Sequence, residues 1–300
     1  MAGASFVTLN VIVYQYGKVA STSLVATLNK FRHVTAYQCH FFGEAAFRST
    51  VTRLCDPSTN DYFFNHSLGQ LANNLKAYRL YHAQSASANA RSAVLTVARE
   101  PFDWFRSSLI QEMDGHISGL ALSVSDRQGA TGSRERIVHE GLALLIERIH
   151  SALDSVDGDI DALTLPKRRE LDQILPFVNA QDFEAFLFLL SRFLTPHWWF
   201  RTQFQKEFDI KIAEMEDLGE GLRVSQAARG AVYLARYEDL ETAFAKFLAV
   251  EGLSPKRLVR KNRGYKKKLS NLIHESLATE RAVELKARSR SEMTQLLGYR

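Results

Sequence analysis

The segment Val11-Ile12-Val13-Tyr14-Gln15-Tyr16-Gly17-Lys18-Val19-Ala20-Ser21-Thr22-Ser23-Leu24 constrains this chain most. A strand-forming apolar run breaks at Gly17-Lys18 into small, hydroxyl-rich residues, which reads as strand, tight loop and helix start. Glycine permits dihedrals that other residues resist. The first N–H groups of the following helix, together with its positive dipole end, attract an anion, and Lys18 adds a full charge. The pattern therefore predicts a phosphate-binding loop of an α/β protein. The ATP-binding version of such a loop needs Gly, four residues, then Gly-Lys and an immediate Ser or Thr. Here Ile12 stands five positions before Gly17, and Val19 follows Lys18, so that pattern fails twice.

A second segment, Ala93-Val94-Leu95-Thr96-Val97-Ala98, is a short apolar run that delivers Arg99-Glu100-Pro101 to a strand's carboxyl end. Ligands of open α/β sheets bind at that edge. Pro101 suits a helix start, and Phe102 to Ile110 carries apolar residues at helical spacing, which places Ser107 about two turns along. A planar guanidinium at Arg99 grips phosphate bidentately in a way a lysine does not reproduce. The competing reading is a surface Arg paired with Glu100 or Asp103.

Further along, Gly230-Ala231-Val232-Tyr233-Leu234-Ala235 reads as another strand and runs into Arg236-Tyr237-Glu238-Asp239-Leu240, where Asp239 is placed to cap the next helix. Later still, Leu258 to Lys268 is a basic stretch. Gln38-Cys39-His40-Phe41-Phe42 ends a predicted strand, Trp198-Trp199-Phe200 closes a long apolar helix, and Phe208-Asp209-Ile210-Lys211-Ile212 reads as a short acidic-flanked strand.

Taken together, these segments resemble the sulfotransferases that use 3′-phosphoadenosine-5′-phosphosulfate (PAPS), and in particular the sulfotransferase-like family associated with bacterial capsular polysaccharide synthesis. Gly-Lys-Val-Ala-Ser-Thr-Ser is similar to the family's 5′-phosphosulfate loop, with Ala20 in place of the usual glycine. The resemblance implies the sulfotransferase fold and sulfuryl transfer from PAPS to a hydroxyl of a carbohydrate or glycan precursor, without a metal. It implies that Gly17, Val19, Ala20, Ser21, Thr22 and Ser23 hold the 5′-phosphosulfate and that Lys18 acts on it. It likewise places Arg99 and Ser107 on the 3′-phosphate, with Arg260, Asn262, Gly264 and Lys266 in a closing basic loop. It spans residues 7 to about 275 and is interrupted from about 114 to 194, where no motif is legible. Alternatives from other classes are a non-catalytic nucleotide-binding or capsule-assembly protein of the same fold and, third, a P-loop kinase.

For a general base near neutral pH, histidine is the natural choice. His40 ends the strand next to the loop unit and is the first candidate, as the resemblance also suggests. His82, ahead of the Arg99 strand, and Glu44 compete with it. Trp198, Trp199 and Phe200 admit two readings, a sugar-stacking face or core packing of their helix.

With 300 residues and 46% hydrophobic content, the chain can bury a full core, and the expectation is one domain over 1–300. Within it lie a largely helical insertion about 114–208 and a basic tail about 256–300. Only Cys39 and Cys55 occur, so no disulfide framework is expected, no zinc-type spacing appears, and Cys39 reads as a small buried residue rather than a catalytic thiol. Residues 256–300 hold thirteen Lys or Arg against four Glu, a surplus of nine in a chain of net charge +5, so the rest carries −4. No RNA-binding aromatic motif or helix-turn-helix accompanies that cluster, which favours a clamp on a polyanionic small molecule over nucleic acid. Phe6 to Tyr16 is polar at Thr8, Asn10 and Gln15, is shorter than the ~20 residues a bilayer span needs, and lacks a basic leader, so a cytoplasmic protein is expected.

Strands are predicted near 7–16, 34–40, 93–98, 209–213 and 230–237. Helices are predicted near 20–32, 42–54, 67–78, 102–113, 134–154, 168–175, 181–207, 238–250 and 265–288. This alternation implies a P-loop-like, mainly parallel sheet with helices on both faces. Ser123 to Ser133, rich in Ser and Gly, is predicted as a loop.

Overall fold

A computed structural model describes residues 8–56, 61–82, 90–128, 133–163, 180–259, 269–289 and 291–299. The chain divides into two compact units, one of residues 1–99 and 199–261, the other of residues 100–198 and 262–300.

The first unit is built on a mixed six-stranded sheet of order β2-β1-β3-β6-β5-β4. Its parallel part comprises β1 (Thr8–Tyr14), β2 (Val34–Cys39), β3 (Ala90–Ala98) and β6 (Gly230–Arg236). The central strands read as unbroken apolar runs because both their faces are covered: Val11 to Tyr14 and Ser92 to Ala98 are all buried. Buried Thr96 keeps its hydroxyl satisfied by donating to the Tyr14 carbonyl at 2.6 Å. α1 (Ser21–Leu28) connects β1 to β2, while α2 (Glu44–Leu54) and α3 (Asp61–His82) lie between β2 and β3 in the chain.

One expectation fails in this unit. Residues 209–213 form no strand: Asp209 adopts a left-handed conformation (φ 50°) and Ile212–Glu214 is a 3-10 turn, so the backbone there cannot extend into a ladder. Instead β4 (Glu216–Asp217) and β5 (Leu222–Ala227) form an antiparallel edge, with β5 also antiparallel to β6, so the sheet is mixed around a parallel core of four strands. The β4–β5 turn runs through Gly219, Glu220 and Gly221, all at positive φ. At Gly221 a Cβ would stand 2.7 Å from Asp239, so only glycine fits.

After β6 the chain forms α8 (Leu240–Val250), which packs on β5 and β6. Asp239 sits at its N-cap position but makes no capping bond; its Oδ2 lies 3.4 Å from Arg236 Nε instead. At the other end of α8, the buried Glu251 carboxylate accepts from Tyr233 Oη at 2.5 Å and from Arg91, whose Nη2 also donates to the Glu251 carbonyl at 2.8 Å. This lock ties α8 to β3 and β6.

The second unit is helical: α4 (Pro101–Gln128), α5 (Arg134–Asp154), α6 (Ala180–Trp199, its last residue in the first unit), α9 (Ser270–Ser276), α10 (Glu280–Arg288) and α11 (Glu292–Leu296). The short α7 (Gln205–Phe208) belongs to the first unit, after a π-turn at Phe200–Phe204. Val138, Leu142, Leu145, Ile146, Ile149 and Leu153 place one stripe of α5 in a core shared with Phe105, Leu109 and Phe193. α4 is much longer than expected, so 123–128 is helix and not loop; polar Ser, Asp and Gln are tolerated because the turns are propagated from an already nucleated helix. The expected helix at 265–288 is divided into α9 and α10 at Thr279, whose hydroxyl caps α10; residues 260–268, and the helix expected at 168–175, lie outside the described residues. Three histidines hold the C-terminal helices: His139 to Ser276 Oγ (3.1 Å), His150 to the Arg281 carbonyl (3.0 Å), and His197 to Ser291 Oγ (3.0 Å).

Candidate functional site

Parallel register decides where the site lies. Tyr14 pairs with Cys39, Val13 with Leu95, and Ala98 with Arg236, so β1, β2, β3 and β6 end along one edge of the sheet. The residues that follow them, the turn 15–20, His40, Arg99 and Tyr237, are therefore delivered to the same edge, where open α/β sheets bind ligands.

The turn itself is tightly wound. Gly17 (φ 100°), Lys18 (φ 55°) and Ala20 (φ 61°) all lie at positive φ, which costs an L-residue roughly 1–2 kcal/mol relative to its preferred wells. The helix then opens on Ala20, whose carbonyl accepts from Ser23 N (2.9 Å) and Leu24 N (3.0 Å). No side chain caps α1 and no acidic residue stands in its first turn. Backbone donors at this end, with Lys18 beside them, suit an anion. Among the residues expected to hold it, Ser21 and Ser23 are buried and Thr22 is exposed, while Val19 is wholly buried.

Arg99 meets this turn directly. Its Nη1 donates to the Lys18 carbonyl at 3.2 Å, its backbone N–H donates to Tyr16 Oη at 3.0 Å, and its guanidinium carbon lies 4.4 Å from the centre of the Tyr237 ring. Its Nε is buried and has no hydrogen-bond partner among the described residues. Tyr237 is fixed in turn by its N–H, which donates to the Ala98 carbonyl at 2.7 Å. Arg99 thus carries a positive charge over the turn with one donor still unsatisfied. Glu100 caps α4 instead of neutralising an arginine: its carboxylate accepts from Phe102 N (3.2 Å) and Asp103 N (2.8 Å). Ser107 is half-buried on α4, in the second unit.

His40 is joined to the turn through Gln15. Gln15 is only 1% exposed and uses both ends of its amide. Its Oε1 accepts from Gly17 N–H, and its Nε2 lies 3.1 Å from Nδ1 and 3.3 Å from Nε2 of His40. The Gln38 amide nitrogen stands 3.0 Å from His40 Nε2, and the His40 backbone N–H donates to Asn74 Oδ1 at 2.9 Å.

The other base candidates are placed differently. The His82 ring packs against Tyr78 (4.0 Å) and Phe42 (6.0 Å), and its carbonyl accepts from Arg229 at 2.7 Å. Burial, and secondarily the Arg229 charge, lower its proton affinity. Glu44 is exposed and paired with Arg48 at 2.7 Å. Cys39 is buried, donates to the Phe41 carbonyl at 3.1 Å, and has its thiol pushed up by burial, the state of an inert thiol. Trp199 and Phe200 are core residues, with the Trp199 ring tilted against Tyr14 (4.8 Å) and Tyr16 (5.1 Å), next to the turn in the chain. Glu207 rests against Gly43, and burial raises its proton affinity.

Arg260, Asn262, Gly264 and Lys266 lie outside the described residues. The segment leading to them is anchored on α1: Val259 N–H donates to Thr27 Oγ1 at 2.9 Å, and Lys256 lies 4.2 Å over the Phe31 ring. Among the described residues, no group of three or more His, Cys, Asp or Glu could hold a metal ion, and no helix is long and apolar enough to cross a membrane.

Sequence reasoning missed Gln15, Gln38, Asn74, Tyr16 and Tyr237 as parts of this arrangement. For Gln15 a signal existed: a long polar side chain at the end of a buried apolar strand must find hydrogen bonds there. No family model, curated protein or solved structure matches the chain.

Proposed function

We propose that this chain is a transferase that moves a sulfuryl group from PAPS to a hydroxyl, with a carbohydrate or glycan precursor as acceptor. The observation that carries the reading is the meeting of Arg99 with the Lys18 turn, 3.2 Å apart at the sheet's carboxyl edge. A donor with phosphate at both its 5′ and 3′ positions takes two cationic grips, which the Lys18 turn and Arg99 would supply. The sulfotransferase fold, the P-loop-like nature of the turn and the carbohydrate acceptor are part of the same proposal and draw on the motif resemblance.

In this reading the acceptor oxygen attacks sulfur in line as the bond from sulfur to the 5′-phosphate oxygen breaks, and the acceptor proton passes to His40. Lys18 and the amides from Ala20 to Ser23 neutralise charge gathering on the departing phosphate, the kind of preorganised donor set that carries much of enzymatic rate enhancement. Arg99 grips the second phosphate, its guanidinium held flat by Tyr237. The roles of Ser107, Arg260, Asn262, Gly264 and Lys266 rest on the resemblance alone.

Calorimetric titration tests the proposal. Adenosine 3′,5′-bisphosphate is expected to bind without metal and more tightly than ATP with magnesium. Preference for ATP would overturn it in favour of a kinase. Transfer of radiolabelled sulfate from PAPS to glycan acceptors then separates an enzyme from a binding protein.

A further inference from the structure

We propose that Gln15 is a positioning residue that couples anion occupancy of the 17–20 turn to the proton-accepting state of His40, an inference that rests on the donor-binding reading above. Three groups are strung in a line: the Gly17 N–H, the Gln15 amide and the His40 ring. A primary amide has one accepting and one donating end. Because Oε1 is engaged by Gly17, the NH2 end is the one that faces His40.

That orientation favours a neutral ring. A neutral imidazole carries a lone pair that can accept from Gln15, whereas an imidazolium presents N–H on both nitrogens and needs oxygen there. Gln38 does not impose the same constraint: among the described residues its side chain has its hydrogen bond to His40 alone, so its amide can turn to offer oxygen. Gln15 is held against turning, because doing so would set its NH2 against the Gly17 N–H, donor facing donor in a part-buried contact.

An anion on the turn removes this obstacle. Once a phosphate or sulfate oxygen accepts the Gly17 N–H, Gln15 is released to rotate and present Oε1 to the ring. The imidazolium formed when His40 takes the acceptor's proton is then stabilised by an oxygen where it previously met N–H. His40 becomes an effective base when donor is bound and a poor one when the turn is empty, which limits unproductive protonation.

Charged and titratable groups on the surrounding elements are Lys18 on the turn, Arg99 over it, Cys39 on β2, the Glu44–Arg48 pair on α2, His82 on α3 and Glu207 near Gly43. All are common to the wild type and the Gln15 variants, so their influence cancels in a comparison.

The test follows the ring 15N and 1H resonances of His40 through a pH titration, with and without adenosine 3′,5′-bisphosphate, in wild type, Gln15→Leu and Gln15→Glu. In wild type the bisphosphate is expected to raise the His40 midpoint by about one pH unit or more, a tenfold gain in proton affinity. Gln15→Leu is expected to bind the bisphosphate and lose most of that rise, while Gln15→Glu, with oxygen at both ends, is raised before ligand is added. Gln15→Met replaces Gln15→Leu should the latter not fold. An equal rise in wild type and the apolar variant would show a purely coulombic effect of the bound anion and overturn the coupling alone. Absence of bisphosphate binding to the wild type would overturn the functional reading and the coupling with it.

Discussion

Arg99 and Lys18 stand 81 positions apart in the chain, yet the guanidinium of one donates to the backbone carbonyl of the other at 3.2 Å. The contact uses the lysine's backbone and leaves its ammonium out of the bond. The Arg99 charge is thus brought against the turn that carries Lys18, a setting that favours an anion.

Arg99→Lys is expected to weaken binding of adenosine 3′,5′-bisphosphate by tenfold or more, about 1.4 kcal/mol or above. A lysine keeps the charge but loses both the fork that reaches the Lys18 carbonyl and the flat face laid on Tyr237. Calorimetry checks this; unchanged affinity would remove Arg99 from the binding site.

Lys18→Ala is expected to lower the rate of sulfuryl transfer by about a hundredfold or more, the usual consequence of losing one preorganised charge-stabilising group. Its effect on the bisphosphate dissociation constant should be smaller. Single-turnover assays with PAPS would measure the first and calorimetry the second.

Ala20→Gly is expected to stabilise the protein. Ala20 is held at φ 61°, ψ 17°, a conformation that strains any residue with a Cβ. Relief of that strain, partly offset by the greater freedom of glycine in the unfolded chain, should be worth about 1 kcal/mol, or a rise in melting temperature of about 2–4 °C. A melting point at or below that of wild type would show that the turn is relaxed as it stands.

His197 makes stability fall with acid. It is 3% exposed, and burial lowers its pKa from 6.5 to about 3. The folded state therefore resists protonation that the unfolded chain accepts, so the penalty is absent above pH 6.5 and grows as pH falls towards 3. By pH 5 the loss should be about 2 kcal/mol. Denaturant titrations at pH 7.5 and 5 measure it, and His197→Gln should remove most of the difference.

Much of the first unit could be read locally. A buried parallel strand has to be apolar on both faces, and this identifies β1, β3 and β6 without any partner in view. The break at Gly17-Lys18 locates the turn for the same kind of reason, since only a few residues tolerate such dihedrals. The helix α5 is legible from the spacing of Val138, Leu142, Ile146 and Ile149. The β4–β5 edge was not legible: β4 is two residues long, and β5 carries Arg223, Ser225 and Gln226 among its few buried positions. Apolar Ile210 and Ile212 look like strand residues only until Asp209 turns the chain into the left-handed region.

Local sequence places the carboxyl ends of the parallel strands to within one or two residues, because apolar runs, glycines and prolines act on the backbone within a few positions. Tertiary structure alone decided that Arg99 reaches the Lys18 carbonyl and lies on Tyr237, and that Gln15 spans from Gly17 to His40. Those contacts follow from the order and register of strands pairing across long stretches of chain, and no local pattern of residues encodes a partner so far away.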